Sequence, residues 1–274
     1  MAFKLFDYQS SGKGVSKSAP QKKPFFKYWE IFGRKFWKLI ELNMLYVLFC
    51  IPIITFGPAT AALTHVMRKF ILEQPCFVFD EFFTAFKKNF KQSVFIGIVD
   101  VIMIVSVWIA CFQFLMNESL PDGSLVFICI MICCATLVFI MHFYIYLEIV
   151  ALNLSIGSIL KNAVFLVFLG VKRNFIALII NLAIISLIVL FLPFSVFAVI
   201  FLPLSLMCFT TTFICYPVIQ KYIVNPYYEE RGERNPELGS ITEEDIAENA
   251  VFVDRGGSEK EIKATPKAHG KVIK

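Results

Sequence analysis

Charge is what this sequence is poorest in. Only 17% of its 274 residues are Asp, Glu, Lys or Arg and 58% are hydrophobic. A soluble domain carries about 25% charge and about 45–50% apolar residues. Histidine is equally scarce, with three in the chain, and eight cysteines are present without a Cys-x-x-Cys pair. There is no His-Glu-x-x-His pair, no Gly-x-Ser-x-Gly elbow and no phosphate-binding glycine loop. Metal-assisted and phosphoryl chemistry draw on several converging acids or histidines. The expectation is a protein without cofactor, metal or catalytic residues. What the chain has in excess is phenylalanine, 31 residues of it, more than a water-solvated fold buries, so lipid is the fitting solvent.

The charges that exist are segregated, concentrated in the first 38 residues and after Pro217. Residues 1–35 are polar and basic, with Lys4, Lys13, Lys17, Lys22, Lys23, Lys27, Arg34 and Lys35. A cleavable signal has a short basic stub followed at once by an apolar run, so the first apolar segment reads as an uncleaved anchor. The bases flank apolar spans, so the net charge of +5 reads as topology information and not as a nucleic-acid footprint. Seven cysteines lie within apolar runs and only Cys76 in a loop, which makes them small hydrophobes.

A membrane-crossing helix needs about 20 apolar residues. Ser93–Met116, with Asp100 as its single charge, and Leu125–Leu147, with none, meet this. The loop between them, Asn117–Ser124, holds Glu118 and Asp122 but no base, and so reads as external. Leu39–Met67 is too long for one span and is interrupted at Ile51–Pro58. It reads as a helical hairpin, either two full spans or a re-entrant loop. Pro58 suits the first position of its second helix, and Gly57, Ala59, Ala61 and Ala62 keep that helix slim. Phe175–Pro217 is a second broken stretch, interrupted at Leu192–Ser195 or at Pro203. Bases before and after each hairpin put both ends inside. The expected fold is an all-α polytopic bundle of about six membrane-crossing helices over residues 36–221. A basic tail (1–35) and a mostly disordered tail (222–274) are both expected to be cytoplasmic.

Two stretches belong at the inner surface. Phe79, Phe82, Phe83, Phe86 and Phe90 recur at helical spacing before Lys87, Lys88 and Lys91, the pattern of an interfacial amphipathic helix. Leu152–Gly170 either extends the preceding helix or lies along the inner face. Lys87-Lys88-Asn89-Phe90 and Lys172-Arg173-Asn174-Phe175 match each other, as an internal repeat or as two similar membrane boundaries. Within the last tail, Ala250–Gly257 is an apolar island that could dock.

Six polar residues interrupt the apolar spans: Glu41, Asn43, Asp100, His142, Glu148 and Asn181. An ionisable group at such depth costs several kcal/mol unless paired, so these side chains are expected to face the bundle interior. Two readings stand. One is a polar cavity in the cytoplasmic half that binds a solute or ion. The other is interhelical glue, with Lys38 pairing Glu41 and Asp100 capped by an Asn or His.

The residues Phe32-Gly33, Leu39–Asn43, Ile51-Pro52-Ile53-Ile54-Thr55-Phe56-Gly57-Pro58-Ala59 and Phe82-Phe83-x-x-Phe86-Lys87-Lys88-Asn89-Phe90 carry a likeness. The chain resembles, from about Phe32 to Phe252, the YesL-like family of small bacterial integral membrane proteins of unknown function, found mainly in Gram-positive bacteria. The resemblance implies a multi-pass protein of the cell membrane. By gene association within the family, it also implies an accessory or transport role beside ATP-binding-cassette sugar importers. It brings no catalytic residues with it.

Overall fold

The structure, a computed structural model, describes residues 23–116, 124–233 and 235–237. Those residues are helices and turns, with no strand among them. The order is α1 (Pro24–Cys50), a 3-10 turn (Ile53–Thr55), α2 (Phe56–Ile71), α3 (Val78–Met116), α4 (Ser124–Ala151), α5 (Ile156–Leu169), α6 (Val171–Leu190), α7 (Ser195–Phe201) and α8 (Pro203–Ile219). A π-helical turn (Gln220–Val224) and α9 (Asn225–Glu230) follow. The external loop expected at 117–124, apart from Ser124, and the island at 250–257 lie outside the described residues.

Two compact units divide the chain, one ending at Phe36 and the other running from Trp37. In the first, the described residues carry a ladder of aromatic rings at helical spacing, Phe25 to Trp29, Tyr28 to Phe32 and Phe32 to Phe36. Helix α1 begins at Pro24, within the stretch expected to be a tail.

Four helices in the second unit are long and apolar enough to cross a membrane: Val78–Ala110, Val126–Ala151, Val171–Leu190 and Pro203–Glu230. Their outward faces are lined with large apolar side chains, among them Ile102, Trp108, Phe127, Ile130, Phe175, Leu187 and Leu190. Such a surface is stable only against lipid. This is an integral membrane protein.

Helix α2 runs through the middle of the bundle against α3, α4 and α8. Thirteen of its residues are buried, which its small side chains permit. Gly57 lies directly on Ser93 and Gly97 of α3: a Cβ at Gly57 would fall 1.9 Å from the Ser93 carbonyl oxygen. That contact fixes the depth of the α1–α2 hairpin. Its tip sits beside Gly97, and α3 continues to Met116, roughly 19 residues or about 28 Å farther. The tip is apolar and open, with Ile51, Ile53 and Ile54 all exposed.

Several expectations change. Helix α2 starts at Phe56, so Pro58 is its third residue. A first-turn N–H has no intrahelical partner, so proline is accepted there equally well. The Phe79–Phe90 stretch is not a separate surface helix but the first turns of α3. Phe82 and Phe86 face Phe49 of α1. Both proposed breaks in the last apolar stretch occur, at 191–194 and at Leu202. The paired Lys-Lys/Arg-Asn-Phe motifs sit differently: Asn89 lies in mid-helix on the Ala85 carbonyl, Asn174 in the first turn of α6 on Tyr144. The chain stays helical past residue 221, through α9.

Arg68 and Lys69 are the bases that follow the first hairpin, where the sequence pattern implies a membrane boundary. Both are buried and ion-paired, Arg68 with Glu237 and Lys69 with Glu81. Lys38 donates to the Cys76 carbonyl at 3.2 Å instead of pairing with Glu41.

Candidate functional site

A cavity of about 290 Å³ lies between α1, α2, α3, α4, α6 and α8, with Phe56 at the start of α2 among its lining residues. Each wall has a local reason. On α2, Phe56, Thr60, Leu63 and Thr64 repeat at three and four residues, one face of a helix. On α4, Phe139, His142, Phe143 and Tyr146 do the same. Asp100 comes from α3, Asn181 from α6, and Met207, Cys208 and Thr211 from α8.

Three of the six candidate residues therefore meet in one place. Asp100 is the centre of the polar part. One carboxylate oxygen contacts His142 Nε2, and the other accepts from the Tyr146 hydroxyl at 2.6 Å. His142 Nδ1 is 2.7 Å from the Val138 carbonyl. A carbonyl can only accept, so the hydrogen is on Nδ1. The contact between Nε2 and Asp100 then needs one further proton between the two atoms, and the pair is neutral overall whichever atom carries it. Asn181 donates from one amide nitrogen to the Ala177 carbonyl at 2.8 Å and to Thr211 at 2.9 Å. Tyr46 and Thr60 hydroxyls share a 3.1 Å hydrogen bond.

The other three candidates lie elsewhere. Asn43 reaches the interruption between α7 and α8. It donates to the Val199 and Ile200 carbonyls, each at 2.8 Å, and accepts from the Ser205 N–H at 2.7 Å. It thus satisfies backbone groups that the broken helix leaves open. Glu148 points away from the cavity towards α5. One oxygen accepts a 3.4 Å bond from Asn162, while the other is buried without a partner among the described residues. Glu41 is half-buried and does not line the cavity.

Sequence reading passed over Tyr46, Tyr146, Thr60 and Thr211. Tyr146 had a signal, since it stands four residues from His142. The rest had none, because a hydroxyl in an apolar helix usually satisfies itself on a carbonyl one turn back, as Thr64 does on Thr60 at 2.8 Å. Among the described residues no group of His, Cys, Asp and Glu is arranged to hold a metal ion, and Cys76 and Cys215 are both buried.

The fold and cavity define an all-helical membrane protein with a small, largely apolar chamber between its helices. The model of a family described as "Protein of unknown function, DUF624" matches residues 39–111. That stretch covers the end of α1, all of α2, the Gly57–Gly97 contact and Asp100. No curated protein and no solved structure matches the chain.

Proposed function

We propose that this is a non-enzymatic, YesL-like protein of the bacterial cell membrane that serves a carbohydrate-uptake system as an accessory component, not as the conduit for the sugar. The association with sugar importers rests on the sequence resemblance, to which the DUF624 match over residues 39–111 adds support. The observation that carries the accessory reading is the condition of the cavity's polar groups. Asp100, His142 and Tyr146 engage one another, as do Tyr46 with Thr60 and Asn181 with Thr211. The rest of the wall is mainly aromatic and aliphatic. A sugar brings several hydroxyls, and each one buried without a partner costs about 1–3 kcal/mol.

A second reading has its own support. Asp100, His142 and Asn181 converge near the start of α2, where the first hairpin turns, and line the cavity with residues of α8, which follows a helix break. Broken helices of this kind are the setting of many transport sites. On that reading the solute is compact, mostly apolar and held at Asp100–His142. The two readings divide on purified protein. Co-purification with an ATP-binding-cassette permease, and no solute flux in liposomes, supports the accessory role. Saturable flux by the protein alone sinks it.

Topology follows the same reading. Four segments cross, α3, α4, α6 and α7–α8, while α1–α2 enters and leaves on the inner side, with both termini cytoplasmic. Support comes from the depth of the Gly57–Gly97 contact and from the Lys and Arg distribution. A cysteine at Ile53 labelled from outside by an impermeant reagent, in a chain freed of native cysteines, would demand six crossings instead.

A further inference from the structure

Beyond the cavity, the molecule has a second built polar site, at the far end of α2. Arg68 donates through Nε to the Tyr216 hydroxyl at 2.8 Å and through Nη2 to one oxygen of Glu237. Its guanidinium carbon also lies 5.4 Å from the centre of the Tyr216 ring. The Tyr216 hydroxyl donates in turn to the other Glu237 oxygen, and Gln220 Nε2 approaches that same oxygen at 3.4 Å. The side chains of Arg68 and Glu237 are 6% and 4% exposed, so the pair is shut away from water.

The donors and the carboxylate come from different parts of the chain. Arg68 belongs to α2, Tyr216 to α8 and Gln220 to the π-helical turn, whereas Glu237 lies seven residues past the end of α9. Two further bonds steer the segment inward. The Glu237 N–H donates to Asn235 Oδ1 at 3.0 Å, and Asn235, itself buried, donates to Asn225 Oδ1 at 2.8 Å. Two of the donors are also tied to each other without Glu237, since Arg68 Nε donates to the Tyr216 hydroxyl. A buried guanidinium stripped of its counter-charge is strongly unfavourable. Whatever leaves this site must therefore be replaced by another anion or by water entering the bundle.

We propose that Arg68, Tyr216 and Gln220 form a carboxylate-binding site, and that Glu237 is its tethered occupant, clasping the C-terminal segment to the central helix of the bundle. Arg68 stands one turn beyond Thr64, which lines the cavity. The clasp therefore holds in place the same helix that forms one cavity wall.

The test is chemical rescue, read by hydrogen exchange on the full-length protein in lipid nanodiscs. Glu237→Ala vacates a carboxylate-sized space beside Arg68. Amide exchange over 231–237 and over the 60–71 part of α2 is expected to quicken about tenfold or more. Added acetate should restore the slow exchange in both segments, and acetamide, of the same shape without the charge, should not. Glu237→Gln keeps the volume and serves if the alanine variant does not fold; its α2 should exchange faster than wild type. Exchange in α2 unchanged by both substitutions overturns the clasp. Equal rescue by acetate and acetamide, or rescue by neither, overturns the carboxylate site.

Discussion

Replacing Gly57 with alanine puts a methyl group into the narrowest part of the α2–α3 contact. Its Cβ would stand 1.9 Å from the Ser93 carbonyl oxygen, 2.8 Å from the Ser93 carbonyl carbon and 3.0 Å from Gly97 Cα. The shortest of these is about 1.5 Å inside ordinary contact. All three atoms are backbone, so no rotamer change relieves the overlap and the helices must separate. Overpacking of this kind costs about 1–3 kcal/mol, offset by up to about 1 kcal/mol from the better helix propensity of alanine. The expected net loss is about 1–2 kcal/mol, and Gly97→Ala should behave alike, since its Cβ would fall 2.5 Å from Gly57 N. Gly33→Ala is the control: nothing lies within 4 Å of its Cβ, so it should be neutral or slightly stabilising. Gly57→Leu should prevent assembly and be worse than Leu63→Ala. Leu63 is 2% exposed and lines the cavity, and its truncation enlarges a space that already exists. Lipid surrounds the chain before and after helix association, so the transfer part of a leucine's usual cost lapses. Thermal midpoints in mild detergent, with yield of monodisperse protein, decide the matter. A Gly57→Ala protein as stable as Gly33→Ala would refute the argument, as would equal yields of Gly57→Leu and Leu63→Ala.

Asp100→Asn should fold with equal or higher stability, since an amide can donate to His142 Nε2 and accept from Tyr146 while carrying no charge. A well-folded Asp100→Asn protein that fails to complement a deletion strain on complex glycans would move the weight to the solute-binding reading. Asn43→Ala should cost about 2–4 kcal/mol by leaving the Val199 and Ile200 carbonyls and the Ser205 N–H open. A change below about 1 kcal/mol in denaturant midpoint would show that water or neighbouring backbone takes over. Burial, together with Arg68 and Lys69 nearby, holds His65 down at about 4, from an ordinary 6.5. The unfolded chain therefore takes up its proton first, and stability should fall as pH drops from above 6.5 towards 4. His65→Gln should flatten that slope, and an unchanged pH profile would remove His65 from the account.

How much was legible in the sequence follows from the range of each force. Hydropathy and helical period are local. The apolar runs, the breaks at Ile51–Pro58 and Leu192–Ser195, and the small-residue face of α2 could be read directly. The burial of Asp100, Asn43 and Asn181 followed from the cost of polar groups in lipid, and His142 as the partner of Asp100 was among the options. One amphipathic segment and one pair of charges misled, because periodicity reports a face and not where a helix stops, and composition does not report pairing. Phe79–Phe90 looked like a surface helix but continues without interruption into α3. Arg68 and Lys69 followed the composition of a membrane boundary, yet their charges are satisfied inside the protein.

Composition alone made this an all-helical membrane protein, because a chain with so little charge and so many large apolar side chains is soluble only in lipid, where the backbone must satisfy itself within helices. The placing of the helices was beyond it. Whether the first hairpin penetrates fully depends on which turn of α3 receives Gly57. Which polar residues meet depends on contacts such as Asp100 with His142 and Tyr146, 42 and 46 residues away. The pairing of Arg68 with Glu237 joins residues 169 apart. Only tertiary packing decides these, since close backbone approach and buried charge pairing are properties of two surfaces together and neither is written in either segment alone.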